Sequence, residues 1–348
     1  MITTDKILVA GAAGMVGSAL VRALLAHGFE NILGTINRKM PDFGPKAAGR
    51  VRLERLDLMD QGAVSAFFDR ERPGHVFLAA AKVGGILANN TYPADFIHSN
   101  QAIQTNVING AYLAGVHRLL FLGSSCIYPR ECPQPIRESY LLSGPLESTN
   151  RPYAVAKIAG IEMCWAYNRQ YGTRYLAVMP TNLYGPGDNY DLQTSHVLPA
   201  LIRKAHEAKM RGDRSFTVWG TGTPRREFLY SDDLAGACVF LMTEARKTDP
   251  LFNDHEPPLV NIGCGEDVTI AELAGMVAET VGYEGEIVFD AGKPDGTPQK
   301  LLDVSKLSGM GWRPSVALPD GIGLAYGDFL QTWVGVGAQG CGCEGSDS

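Results

Sequence analysis

Tyr153 and Lys157 stand in the run Tyr-Ala-Val-Ala-Lys. A four-residue spacing on a helix puts both side chains on one face. A phenol has an ordinary pKa of about 10 and is a poor acid–base catalyst at neutral pH. An ammonium one helical turn away favours the phenolate and draws that pKa toward the working range. The same pair also arises on plain solvated helix faces, so its chemistry depends on partners elsewhere in the chain.

The first partner is a glycine loop near the N-terminus, Gly11-Ala12-Ala13-Gly14-Met15-Val16-Gly17. It follows a short apolar run, 6–10, and opens a segment that carries Val16, Leu20, Ala23 and Leu24 on one side and ends near Gly28. Glycine at 11 permits a tight turn, at 14 a close approach of backbone to a pyrophosphate, and at 17 close packing of helix on strand. Bare N–H groups and the helix dipole then hold phosphates. The position after a strand and before a helix marks this loop as a dinucleotide site. At the end of the next strand, 31–36, NAD-binding proteins usually place an acid on the ribose 2′-hydroxyl. This chain has Thr35-Ile-Asn37-Arg38-Lys39 instead. Asn37 and Arg38 suit a 2′-phosphate, so NADP(H) is the expected cofactor. Asp57, followed by Leu58 after a third strand at 51–56, either accepts from the adenine amino group or caps the helix at 60–70.

The elements that position these groups read as repeated strand–helix units. Strands are expected at 75–81, 119–124 and 175–179, with helices between them that include 93–114 and 154–171. Such alternation means an α/β fold, a doubly wound parallel sheet that binds ligands at the carboxyl ends of its strands. Ala79-Ala80-Ala81-Lys82, Leu122-Gly123-Ser124-Ser125-Cys126 and Pro180-Thr181-Asn182-Leu183 all fall there. After the break at Gly185-Pro-Gly187-Asp188 the chain reads helix 196–211, strand 217–219, helix 232–245, strand 260–263 and helix 269–281 with Thr269 as cap. The expected division is a nucleotide domain at 1–184 and 225–255, a smaller α/β substrate lobe at 185–224 and 256–333, and a flexible tail at 334–348.

Composition limits the partners. The chain has 348 residues, 45% hydrophobic, with a net charge of −6 and no long basic run, so nucleic acid is not expected. No signal peptide and no apolar run near the ~18 residues of a membrane span is present, and a cytoplasmic protein is expected. The seven cysteines show no zinc-like pairing, and no metal is expected. Cys341-Gly-Cys343 reads as part of a frayed terminus.

Taken together the motifs resemble the extended short-chain dehydrogenase/reductases that act on nucleotide sugars. The glycine loop, Ser124 and Tyr153-x-x-x-Lys157 carry that likeness. Longer stretches are similar to the GDP-L-fucose synthase family: Ala79-Ala-Ala-Lys-Val-Gly-Gly-Ile86, Ala88-Asn-Asn-Thr-Tyr-Pro-Ala-Asp-Phe96, Leu122-Gly-Ser-Ser-Cys-Ile-Tyr-Pro129, Met179-Pro-Thr-Asn-Leu-Tyr-Gly-Pro186 and Lys293-Pro-Asp-Gly-Thr-Pro298. The resemblance implies inversion at C3 and C5 of GDP-4-keto-6-deoxy-D-mannose, then NADPH-dependent reduction of the 4-keto group to GDP-L-fucose. It also implies a homodimer through helices 93–114 and 154–171.

On that resemblance, Ser124 and Tyr153 hydrogen-bond the keto oxygen, Tyr153 protonates the alkoxide, and Lys157 lowers the Tyr153 pKa and bonds the nicotinamide ribose. Cys126 and His196 are the base and acid of epimerisation, and His196 also borders the cofactor. A free cysteine is by itself most often a small buried apolar residue, and His196 alone reads as a surface residue at a helix start. Lys204, Trp219, Arg226 and Asp295 match substrate positions, with Arg225 a neighbouring candidate. By chemistry alone, Trp219 reads as core and Asp295 as a turn residue. Two departures stand out: Ala12 and Ala13 lack the base that relatives often carry in the glycine loop, and the segment 35–50 is longer. The competing readings are a 4-epimerase, a 4,6-dehydratase or a non-catalytic NADP(H) sensor. Ser124-Ser-Cys126 lacks the Asp-Glu pair expected of a dehydratase.

Overall fold

A computed structural model describes residues 1–293 and 295–337. The first half lays down β1 (Ile7–Ala10), α1 (Met15–Ala26), β2 (Ile32–Ile36), β3 (Val51–Arg55), α2 (Gln61–Glu71), β4 (His75–Leu78), α3 (Ile86–Thr91), α4 (Pro93–Leu113), β5 (Arg118–Leu122), α5 (Arg151–Tyr171) and β6 (Arg174–Pro180). The second half adds β7 (Asn182–Tyr184), α6 (Val197–Arg211), β8 (Ser215–Trp219), β9 (Arg225–Arg226), β10 (Phe228–Tyr230), α7 (Ser231–Thr243), α8 (Ala245–Thr248) and β11 (Leu259–Ile262). It closes with β12 (Val268–Thr269), α9 (Ile270–Val281), β13 (Glu286–Asp290), β14 (Gln299–Lys300), α10 (Ser305–Gly309) and α11 (Leu318–Gly337).

The main sheet has seven strands in the order β11-β6-β5-β4-β1-β2-β3. All neighbours in it are parallel. Strands buried on both faces need near-continuous apolar runs, and Ile7–Ala10 and Ile32–Ile36 are buried throughout. One core lies under α1 and α7, with Leu20, Leu24, Leu234 and Val239. The other lies under α2, α4 and α5, with Phe67, Val107, Ile108 and Ile161. The expected doubly wound sheet is therefore present.

Three small sheets build a second lobe: β8 with β13, β9 between β12 and β14, and β7 with β10. Its core joins α6, α9 and α11 through Leu201, Leu273, Val277 and Phe329. α9 starts on a capping box, the Thr269 hydroxyl accepting from Glu272 N while the Glu272 carboxylate accepts from Thr269 N. The expected boundary at 256 needs correction. Val260 pairs with Val178 in the main sheet, because another fully buried run, 259–262, finds its open edge at β6. The expected tail boundary at 334 also moves, since α11 continues to Gly337. Cys341 and Cys343 lie outside the described residues.

Candidate active site

The cofactor cradle is made by β1, the glycine loop and α1. Gly11 has φ +90° and its Cα lies against the Ala80 backbone, where a Cβ would come within 2.8 Å of Ala80 N. A Cβ on Gly17 would strike the Gly11 carbonyl oxygen, while Gly14 faces open space apart from that oxygen at 3.6 Å. So Gly11 and Gly17 fold the loop tightly and Gly14 keeps its outer side clear. Thr35 tethers the loop, its carbonyl accepting from Ala12 N at 2.9 Å and its hydroxyl from Gly11 N at 3.2 Å. The N–H groups of Ala13, Met15 and Val16 have no partner among the described residues. Free donors at a helix start, with room beside them, fit a diphosphate.

Asn37 and Arg38 are exposed just past β2. Asp57 is exposed past β3; its Oδ1 accepts from Met59 N at 2.9 Å, whereas Asp60 is the cap of α2, accepting from Ala63 N. Leu58 is buried. On the other side, Pro180 and Thr181 are buried while Asn182 and Leu183 are half-buried. Thr181 Oγ1 and Asn182 Nδ2 both donate to the Glu227 carbonyl, at 3.1 and 2.8 Å. The fully buried Glu227 carboxylate accepts from Gly265 N at 2.7 Å and Leu302 N at 3.1 Å. Glu227 therefore fixes the cofactor-side strand against the segments that carry Arg226 and Lys300.

At the carboxyl end of β5, Gly123 leads into a short turn whose Ser124 hydroxyl accepts from Cys126 N at 3.4 Å. A Cβ on Gly123 would collide with the Met179 side chain, so the chain bends close to β6 here. Ser125 and Cys126 are buried. Tyr153 and Lys157 come from the first turns of α5. Ser124 lies near enough to act on the Tyr153 hydroxyl, and Cys126 near enough to act electrostatically on both Tyr153 and Lys157. Phe96 packs edge-on against the Tyr153 ring at 6.2 Å. The sequence-predicted Ser124, Cys126, Tyr153 and Lys157 are thus brought together by two elements.

One expectation is corrected. Lys157 does not draw the Tyr153 pKa down here. Burial and the nearby Cys126 push the phenol above its ordinary range, with the Ser124 hydroxyl opposing. Lys157 Nζ lies 5.8 Å from the centre of the Tyr153 ring and donates to the Leu122 carbonyl at 2.7 Å. Desolvation lowers its own pKa to about 8. An ammonium disfavoured by burial and bonded to a carbonyl acts weakly on a phenol that burial keeps protonated.

Burial raises the Cys126 thiol, and the first opposing influence is the charge of Lys300. Lys300 is the residue that sequence reasoning missed. It follows the Lys293–Pro298 motif by two residues, and that short distance was the available signal. β14 pairs with β9 so that Lys300 stands beside Arg226, and burial lowers the Lys300 pKa. His196 occupies the cap position of α6. It is exposed, while surrounding protein still lowers its pKa by desolvation. No hydrogen bond links it to the serine–tyrosine cluster among the described residues. Its loop does meet the β4 side of the crevice, where Gly85 N donates to Thr194 O at 3.1 Å.

The lobe supplies cations at the outer end. Lys204 Nζ donates to Thr217 O at 2.9 Å and sits 5.5 Å above the Trp219 ring, with Lys293 Nζ at 5.4 Å. Trp219 is 57% exposed, so it is no core residue; it forms an open aromatic face within reach of two ammonium groups. Asp295 is exposed, its carboxylate accepting from Thr221 N at 2.9 Å and Thr221 Oγ1 at 2.7 Å. Arg226 is half-buried beside it, and any Cβ on Gly296 would press on Arg226 at 2.8 Å. Arg225 points elsewhere. Strand alternation turns it to Asp267, with Nε to Oδ1 at 2.7 Å, which corrects its place as a substrate candidate.

The geometry thus joins a dinucleotide cradle, a hydroxyl–phenol–ammonium cluster and a cationic lobe. Comparison with known proteins agrees with it. The model of the NAD dependent epimerase/dehydratase family matches residues 7–263. The chain belongs to this family. Within the family it is 53% identical to GDP-L-fucose synthase 1 of Arabidopsis thaliana over 326 residues, covering 94% of this chain and 93% of the relative. The GDP-L-fucose synthase of Escherichia coli (strain K12) is 49% identical over 333 residues, covering 94% and 97%. Among solved structures, a GDP-mannoheptose C4 reductase from Campylobacter jejuni with NADP bound superposes with a TM-score of 0.81 at 38% identity, covering 95% of this chain and 99% of that one. Among the described residues no helix is long and apolar enough to cross a membrane, and no group of side chains could hold a metal ion.

Proposed function

We propose that the chain is an NADP(H)-dependent enzyme that epimerises GDP-4-keto-6-deoxy-D-mannose at C3 and C5 and reduces the 4-keto group, yielding GDP-L-fucose. The observation that carries this reading is the cluster at the end of β5: a carbonyl-binding pair, Ser124 and Tyr153, with a thiol two residues from the serine. The high identity to GDP-L-fucose synthases along nearly the whole chain supports it.

Ser124 and Tyr153 donate hydrogen bonds to the keto oxygen. Polarising that carbonyl acidifies the hydrogens at C3 and C5 and stabilises the enolate formed when one is removed. Cys126 and His196 exchange those protons on opposite ring faces. The Lys300 charge favours the Cys126 thiolate, which is the form able to take a proton. The glycine loop 11–17 with Asn37 and Arg38 would hold NADPH, which would supply the hydride for C4. Tyr153 then gives its proton to the alkoxide; a phenol held protonated by burial is suited to donate. Lys157 keeps further donor capacity beyond Leu122 O for a ribose hydroxyl. Lys204 and Arg226 offset the diphosphate charge, and Trp219 and Asp295 border the nucleotide. The nucleotide domain and substrate lobe meet along this crevice, with the seventh strand counted in the first. A homodimer through α4 and α5 and a cytoplasmic location complete the reading.

The test is incubation with the keto sugar and NADPH in deuterated water. NADPH oxidation with deuterium at C3 and C5 is expected; oxidation without exchange removes the epimerase half. Cys126→Ser is expected to reduce the keto sugar without inverting it. Undiminished exchange in that variant clears Cys126 of the role.

A further inference from the structure

The outer strand of the main sheet carries a group that this reading has not used. β3 pairs with β2 in parallel, so that Arg55 lies across from Ile36. Leu56 N extends the pairing by donating to Ile36 O at 3.0 Å. Arg55 therefore stands beside the end of β2, immediately before Asn37 and Arg38. Its face is fixed by its neighbours. A Cβ placed on Gly34 would meet Ala12 Cβ and Leu53 Cδ2, each at 2.7 Å, so Leu53 lies on the same face of the sheet as the glycine loop. Strand alternation puts Arg55 on that face too. Arg52 and Glu54 turn to the other face, where they pair with Glu71 and Arg70.

Both Arg55 and Arg38 are exposed. Among the described residues neither guanidinium makes a hydrogen bond or an ion pair. The nearby carboxylates are engaged, Glu54 with Arg52 and Arg70, and Asp57 with Met59 N. Two unpaired guanidinium groups carried at the ends of adjacent strands make this corner positive and favour an anion there. The glycine loop opposite offers no base at Ala12 or Ala13, so positive charge at this corner comes from the strand side.

We infer that Arg55 is the second arm of a clamp, with Arg38, for the phosphate monoester on the adenosine ribose of the cofactor. The planar fork of each arginine matches phosphate oxygens, and two forks from adjacent strands enclose a dianion. This inference rests on the NADP(H) reading. A specificity arm on β3 also gives the long 37–50 segment a purpose, since that segment returns the chain to add β3 at the sheet edge.

The experiment is equilibrium titration of NADPH and NADH, followed by nucleotide fluorescence, on the wild type and on Arg55→Ala, Arg55→Lys and Arg38→Ala. Loss of a charged phosphate contact is worth about 10- to 100-fold. Arg55→Ala is expected to weaken NADPH by about that much and leave NADH within about twofold. Arg55→Lys is expected to recover part of the loss. NADPH preference retained in full by Arg55→Ala, or equal weakening of both nucleotides, overturns the clamp while leaving the NADP(H) reading in place. A wild type that binds NADH as tightly as NADPH overturns both.

Discussion

At the scale of the residue, the site turns on how burial and charge divide the acid–base work. Burial alone would keep both Tyr153 and Cys126 protonated. For Tyr153 that suits a proton donor. For Cys126 it opposes the thiolate, and Lys300 is the first group acting against it. Removing that charge raises the thiol pKa further, and each unit reduces the thiolate at neutral pH about tenfold. Lys300→Met is therefore expected to slow deuterium exchange at C3 and C5 by about tenfold near pH 7. The loss should be recovered at higher pH, where the thiol ionises unaided. The check is the pH profile of exchange in the two proteins. A loss that persists at high pH assigns Lys300 to substrate binding instead of to the thiol.

At the scale of the element, strand ends and helix starts deliver the groups around the β5 end, and most of these were legible in the sequence. The glycine loop, the Tyr153–Lys157 spacing and the run to Cys126 could be read because short-range rules govern them: a turn needing glycine, a helix period, a strand followed by a bend. Arg225 stayed a candidate beside Arg226, because the facing of the two depends on β12 and β14, which pair with β9 from distant sequence. The allotment of Leu259–Ile262 to the main sheet was hidden for the same reason. Lys300 was hidden because its closeness to Cys126 depends on that pairing. The connection from β7 to α6 shows a cost that only packing reveals. Asp188 is half-buried with one carboxylate oxygen lacking a hydrogen bond, and burial and Asp328 raise its pKa to about 7. A carboxyl raised in the folded state stabilises fully below its unfolded value of about 4, and that contribution is lost as pH rises through about 7. The wild-type melting temperature should therefore fall between pH 5 and 8 more steeply than that of Asp188→Asn. Parallel curves for the two proteins would assign the pH dependence elsewhere.

At the scale of the whole molecule, the chain makes its reaction centre where the sheet and the lobe meet, and α5 connects that centre to the outside. α4 and α5 pack side by side over one face of the sheet. On their outer surfaces Val155 is 37% and Leu113 64% exposed. Val155 lies between Tyr153 and Lys157 in sequence, so the two side chains proposed to act on substrate and cofactor turn inward while their helix offers an apolar residue outward. A second copy laid on this face would remove that surface from water and stiffen the turn of helix that carries Tyr153 and Lys157. The double variant Leu113→Glu/Val155→Glu places two carboxylates in such an interface without touching either core. Light scattering of the wild type is expected to give twice the chain mass, and the variant the single mass with unchanged circular dichroism. Buried unpaired charge in an interface costs several kcal/mol, enough to shift association at least about a hundredfold. A variant that stays at twice the chain mass excludes this helix pair as the interface. A wild type at the single mass excludes the dimer, and the Tyr153–Lys157 turn is then held by the Phe96 and Leu122 contacts of one chain.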